Sequence, residues 1–291
     1  MVAIRTVLCP VDFTPATERQ LALAADLCRA FGARLVLHHN VEAAPPGAGV
    51  GWMYAKEHAR RPSAADAERS MQELLDGLPG DIETEAKITH GLATLSVAVL
   101  GERLGADLIV LTSHGETHED HRSVTEHVID RATCAVLALH EAGIDTGVPR
   151  FADAAAETQV VLVPTDFTEE SRPALELAFD LARRLDLDLH LLHVLTPTGM
   201  PEPLPDELLR SGAERLRALV PEELAGRVSP EVVFGDPAEE IVAAADRLGA
   251  CCIVMGEHTR APLRRWFTRD TSRATLQRAH CPIWFVPGRA A

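Results

Sequence analysis

The chain has 291 residues, about twice the roughly 150 of a common domain, and 46% of them are hydrophobic and 24% charged, so two packed domains are expected and disorder is excluded. Its apolar runs stop far short of the roughly 18 residues of a membrane span, so no membrane association is expected. The formal net charge of −15 is shared by both halves and excludes a nucleic-acid partner, whose phosphates need a net basic face.

Residues 1–10 carry one positive charge in a short apolar run, which reads as a first strand rather than a signal peptide and implies a cytoplasmic protein. Residues 7–11 form that β-branched strand, followed by Thr14 as N-cap and Pro15 at the first helical position. A helix, a second strand at 35–41, a Gly/Pro-rich loop and a helix at about 63–78 come next. Strands at 83–88, 107–112 and 135–139 alternate with further helices. The second half repeats the scheme with strands at 160–164, 187–194, 230–234, 251–256 and 282–286. There Thr168 is the first N-cap, and Leu175, Ala178, Ala182 and Leu185 make a one-sided helical stripe. A helix is expected near 206–220, and Asp236-Pro237-Ala238-Glu239 places Asp at the N-cap and Glu at N3 of another.

The halves are copies. Residues 7–14 (VLCPVDFT) return at 161–168 (VLVPTDFT) with an offset of 154. RLGADLIVL at 103–111 returns as RLGACCIVM at 247–255 (offset 144), and TCAVLAL at 133–139 as HCPIWFV at 280–286 (offset 147). Regular β/α alternation with short loops gives an α/β chain of two doubly wound, Rossmann-like domains, 1–141 and 158–291, joined by a polar linker near 142–157.

PVDFT and PTDFT, LHHNV and LLHV, LIVLTSHG and CIVMGEHT, and the two closing segments together resemble the universal stress protein family in its tandem form. The resemblance implies a five-stranded parallel sheet of the adenine-nucleotide alpha-hydrolase-like kind in each domain. It also implies pairing of the last strands into an intramolecular pseudo-dimer and, in one branch, bound ATP. That branch resembles a Gly, two residues, a Gly, nine residues and Gly-Ser/Thr after strand four, which lets backbone N–H groups and a helix N-terminus meet phosphate. The second copy keeps the spacing with Gly256, Thr259, Arg269 and Asp270; the first has Thr112, Gly115, a shortened spacer, Arg122 and Ser123. Both loops are degenerate. By the same resemblance Asp12 and Asp166 face adenine and ribose beside Pro164 and Thr165, and Val194 lines the base wall where the first copy has Asn40. Asp12 and Asp166 read also as caps of the turn or helix that follows them.

The loop after strand four is acidic and His-rich in the first copy, where His114, His118 and His121 form a candidate Zn²⁺ set, and Arg-rich in the second, a candidate anion clamp. Either run reads also as a solvated charged face. The six cysteines follow no CxxC spacing and read as reduced core residues, and His39 and His193 as satisfied core or interface histidines. Trp52, Tyr54, Trp266 and Phe267 stand in candidate lids. Without GxSxG, GxxxxGK[ST] or HExxH no nucleophile and base are nominated. The reading is a non-enzymatic stress-response regulator with at most weak ATP binding in the second domain. The alternatives are an ATP-binding form with slow hydrolysis and a metal- or anion-responsive form. An adenine nucleotide, a protein of unknown identity and a second copy in a homodimer are the partners considered.

Overall fold

Short β-branched and leucine runs become strands and one-sided apolar stripes become helices, in alternation along the chain. A computed structural model describes residues 3–41, 64–91, 93–113, 124–140, 159–196, 206–257 and 269–288. The first half runs β1 (Thr6–Pro10), α1 (Ala16–Phe31), β2 (Arg34–Val41), α2 (Ala64–Gly77), β3 (Thr84–His90), α3 (Ala93–Leu104), β4 (Leu108–Ser113), α4 (Val124–Arg131) and β5 (Ala135–His140). The second runs β6 (Val160–Pro164), α5 (Arg172–Leu185), β7 (Asp188–Leu195), α6 (Asp206–Ala218), a 3₁₀ turn (Glu222–Arg227), β8 (Val228–Phe234), α7 (Pro237–Leu248), β9 (Cys252–Glu257), α8 (Arg269–Arg278) and β10 (Ile283–Pro287). The 3₁₀ turn has no counterpart among the sequence-based elements.

Each half is a parallel sheet, β3-β2-β1-β4-β5 and β8-β7-β6-β9-β10, and antiparallel pairing of β5 with β10 fuses them into one ten-stranded sheet. Strand order reverses beside β1 and β6, which opens a crevice at the carboxyl ends of β1 and β4 and of β6 and β9. One apolar layer packs α1, α2, α5 and α6 on one face of the sheet, and a second packs α3, α4, α7 and α8 on the other. Both layers run through residues of the two halves. Burial on both faces explains why β4 and β9 read as continuous apolar runs.

Helix starts follow local chemistry. Asp236 accepts hydrogen bonds from the N–H groups of Ala238 (3.0 Å) and Glu239 (3.1 Å), with Pro237 in the first turn, as the sequence indicates. At α1 the expectation of a Thr14 cap fails. Pro15 takes the N-cap position, and the Thr14 hydroxyl is spent donating to Asp12 Oδ1 at 2.7 Å. Thr168 keeps part of its expected role, since its Oγ1 accepts from Ser171 N–H at 3.3 Å one turn before α5. Burial raises the thiols of Cys9, Cys28, Cys134 and Cys281 to about 12, so they behave as small apolar side chains. Among the described residues no helix is long and apolar enough to cross a membrane.

Candidate functional site

At both crevices the chain leaves the first strand through the same Asp-Phe-Thr turn. Asp166 Oδ1 accepts from Thr168 N–H (3.0 Å) and Oγ1–H (2.5 Å). Asp12 Oδ1 accepts from Thr14 N–H (3.1 Å), Thr14 Oγ1–H (2.7 Å) and Thr17 Oγ1–H (3.1 Å). Holding the carboxylate this way forces Phe13 and Phe167 to φ of 60° and 62°, a left-handed conformation costly for a bulky residue. The strain is held by tilted ring contacts. Phe13 lies 4.3 Å from the ring of His39, Phe167 lies 4.5 Å from that of His193, and the Arg215 guanidinium covers Phe167 at 4.0 Å. Each histidine donates Nδ1–H to a carbonyl at the end of the first strand, His39 to Val11 and His193 to Thr165, both at 2.8 Å. Burial above all lowers the pKa of His193, with the Arg215 charge adding to it, so this imidazole is held neutral.

The walls of the two crevices differ. In the second domain Leu192 and Val194 are buried, Val233 pairs beside Val194, and Gly256 is the penultimate residue of β9. Gly256 is packed so closely that an added Cβ would stand 3.0 Å from Glu170 O and from Ser171 Cα. The turn is closed by a hydroxyl relay: Ser171 Oγ–H donates to Thr168 O (2.9 Å), so Thr165 Oγ1–H donates to Ser171 Oγ (3.1 Å).

In the first domain the matching positions are His38, Asn40, Thr89 and Thr112, and all are polar. Asn40 Nδ2 donates to Gly91 O (2.9 Å), Asn40 Oδ1 accepts from Thr89 Oγ1–H (3.0 Å), and Thr89 Oγ1 must then accept from His38 Nε2–H (2.7 Å). His38 Nδ1 is left as a buried acceptor without a hydrogen-bond partner, and burial with the nearby His39 lowers this pKa to about 4. Gln20, where the second domain has Ala174, spans the switch point. Its Nε2 donates to Pro10 O (2.5 Å) and Val110 O (2.9 Å), and its Oε1 accepts from Thr112 Oγ1–H (3.0 Å). Thr125 Oγ1–H ties down Thr112 O at 3.1 Å. Side-chain hydrogen bonds thus join β2 to β3 and α1 to both β1 and β4 beside this crevice.

The structure therefore gathers Pro164, Thr165, Asp166, Val194 and Gly256 around one crevice and places Asp12 at the other. Arg269 and Asp270 are the first residues of α8. Thr259, Gly115, Ser123, His114, His118 and His121 lie outside the described residues, as do Trp52, Tyr54, Trp266, Phe267 and the 142–157 linker. Sequence reasoning missed Gln20, His38, Thr89, Phe167 and Arg215. The Gln20/Ala174 contrast at offset 154 was the available signal for the first of these.

Two topologically equivalent crevices on a sheet of two parallel halves fused by an antiparallel seam define a tandem doubly wound α/β protein. The universal stress protein family model matches residues 3–140 and again 157–287, so the chain belongs to that family in tandem form. It is 28% identical to a universal stress protein of Methanocaldococcus jannaschii over 136 residues, which covers 43% of this chain and 80% of that protein. The crystal structure of a universal stress protein from Archaeoglobus fulgidus superposes with a TM-score of 0.71 at 17% identity, covering 99% of this chain and 98% of that one. A functionally unknown protein from Pseudomonas aeruginosa gives 0.60 at 16% identity, covering 98% and 93%. At these identities the two structures speak for the fold.

Proposed function

We infer that the chain is a non-enzymatic stress-response regulator whose second domain, residues 158–291, takes an adenine nucleotide weakly, while its first, residues 1–141, holds the pair together across a linker near 142–157. The carrying observation is the contrast of walls. Leu192, Val194 and Val233 make the wall beside β6 apolar, whereas the matching His38, Asn40 and Thr89 of the first domain are polar and spend themselves on internal hydrogen bonds. ATP fits this site better at the base than at the phosphates. Asp166 stands where a ribose or adenine edge would be met, and Arg269 and Asp270 replace the backbone a phosphate prefers. An Arg at the start of α8 can still meet phosphate through its guanidinium. The net charge of −15 supports a reading without a nucleic-acid partner, and a cytoplasmic location goes with it.

The test is thermal unfolding with and without excess Mg-ATP. A ligand at 100 times its Kd adds about 2.7 kcal/mol to the folded state. The expected result is a rise that Asp166→Ala abolishes and Asp12→Ala leaves intact, each variant compared with itself without ATP because both carboxylates also hold their turns. Absence of any shift at millimolar ATP overturns the nucleotide part of the reading.

A further inference from the structure

The β5–β10 register is centred on a self-pair. Ile283 faces Ala138, Trp284 faces Leu137 and Phe285 faces Val136. With the offset of 147 that relates these segments, Trp284 is the counterpart of Leu137, so the pseudo-twofold axis of the chain passes between them. In a twofold interface a residue on the axis meets its own equivalent. Two further contacts obey this rule, one on each face of the sheet. Arg273 Nε of α8 meets Glu126 Oε1 of α4 at 3.0 Å, and 126 and 273 are equivalent at the same offset. Arg184 of α5 donates through Nε to Ala30 O (3.2 Å) and through Nη2 to Phe31 O (3.0 Å) at the end of α1, and 30 and 184 are equivalent at the offset of 154.

At all three self-facing positions the halves carry unlike residues that fit each other: large against medium, cation against anion, and guanidinium against the bare carbonyl end of a helix. Two copies of the first half would set Glu126 against Glu126 and leave Leu137 against Leu137 where an indole now fills the layer. Two copies of the second would set Arg273 against Arg273, Arg184 against Arg184 and one buried Trp284 against another. Like charges across an interface cost affinity and suppress wrong partners. We propose that this axis is a pairing key: the surface formed by β5 and α4 takes the unlike half of this chain and refuses a like half presented by a second copy.

The full chain tests this, because single charge reversals recreate the refused pairs in place. Arg273→Glu makes the Glu/Glu contact of two first halves, and Glu126→Arg makes the Arg/Arg contact of two second halves. Each is expected to lower Tm by about 2–4 °C, and the double reversal Glu126→Arg with Arg273→Glu to recover most of that loss. The single-variant losses should shrink in high salt. A parallel cycle with Leu137→Trp, Trp284→Leu and their combination asks the same of size. Single charge reversals without effect, or a double reversal that only adds the two losses, overturns the proposal.

Discussion

At the scale of single residues, His38 links a hydrogen-bond pattern to pH. Its proton sits on Nε2, its Nδ1 is buried without a partner, and its folded pKa is about 4 against roughly 6.5 in the unfolded chain. A folded pKa below the unfolded one means that the unfolded state binds the extra proton. The stability this group contributes is thus present above about pH 6.5 and lost as pH falls toward 4, by about 3 kcal/mol in all. His38→Leu, the residue that the second domain has at 192, is expected to flatten the fall in urea midpoint between pH 7 and pH 4.5; an unchanged slope refutes the assignment. Gly256 gives a steric prediction. Gly256→Ala puts a methyl 3.0 Å from the backbone of Glu170 and Ser171, so the 168–171 turn must shift, at a cost of about 1–3 kcal/mol in denaturant unfolding.

At the scale of elements, two joints stand out. Asp236 supplies the first two acceptor bonds of α7, and Asp236→Ala is expected to cost about 1 kcal/mol in chemical unfolding. Gln20 binds α1 to both β1 and β4. Gln20→Ala strips the amide from Pro10 O and Val110 O in a buried setting, and a loss of about 1–3 kcal/mol is expected, where Gln20→Glu should fare no better because a carboxylate cannot donate to those carbonyls. These joints mark the boundary of what the sequence told. The Asp236 cap was legible because Asp-Pro-x-Glu is a local signal. The Gln20 stitch was not, since its meaning depends on β1 lying beside β4, a neighbour 90 residues away in the chain. The Thr14 expectation failed for a related reason: a threonine two residues after an aspartate has a second acceptor within reach, and Asp12 won its hydroxyl.

At the scale of the whole molecule, the duplicated β/α alternation was legible in the repeat, the strand order was not, and the difference between the crevices was only half legible. Asn40 for Val194 was visible in the alignment of the halves, but the Asn40–Thr89–His38 relay needed the pairing of β2 with β3 to bring Thr89 alongside. The left-handed Phe13 and Phe167 carried no sequence signal of their own, because the conformation is imposed by the carboxylate on one side and the histidine ring on the other.

The seam between β5 and β10 sets a timetable for synthesis. The first half can close its own five strands as soon as it leaves the ribosome, yet the open side of Ala135–His140 then waits for Ile283–Pro287. At roughly 5–20 residues per second that wait is on the order of ten seconds, during which a flat apolar edge offers free backbone N–H and C=O groups to any neighbouring nascent chain. Neighbours on a polysome present that same edge and carry the same Glu126 beside it, so mutual repulsion guards the edge during the interval before its proper cover is made.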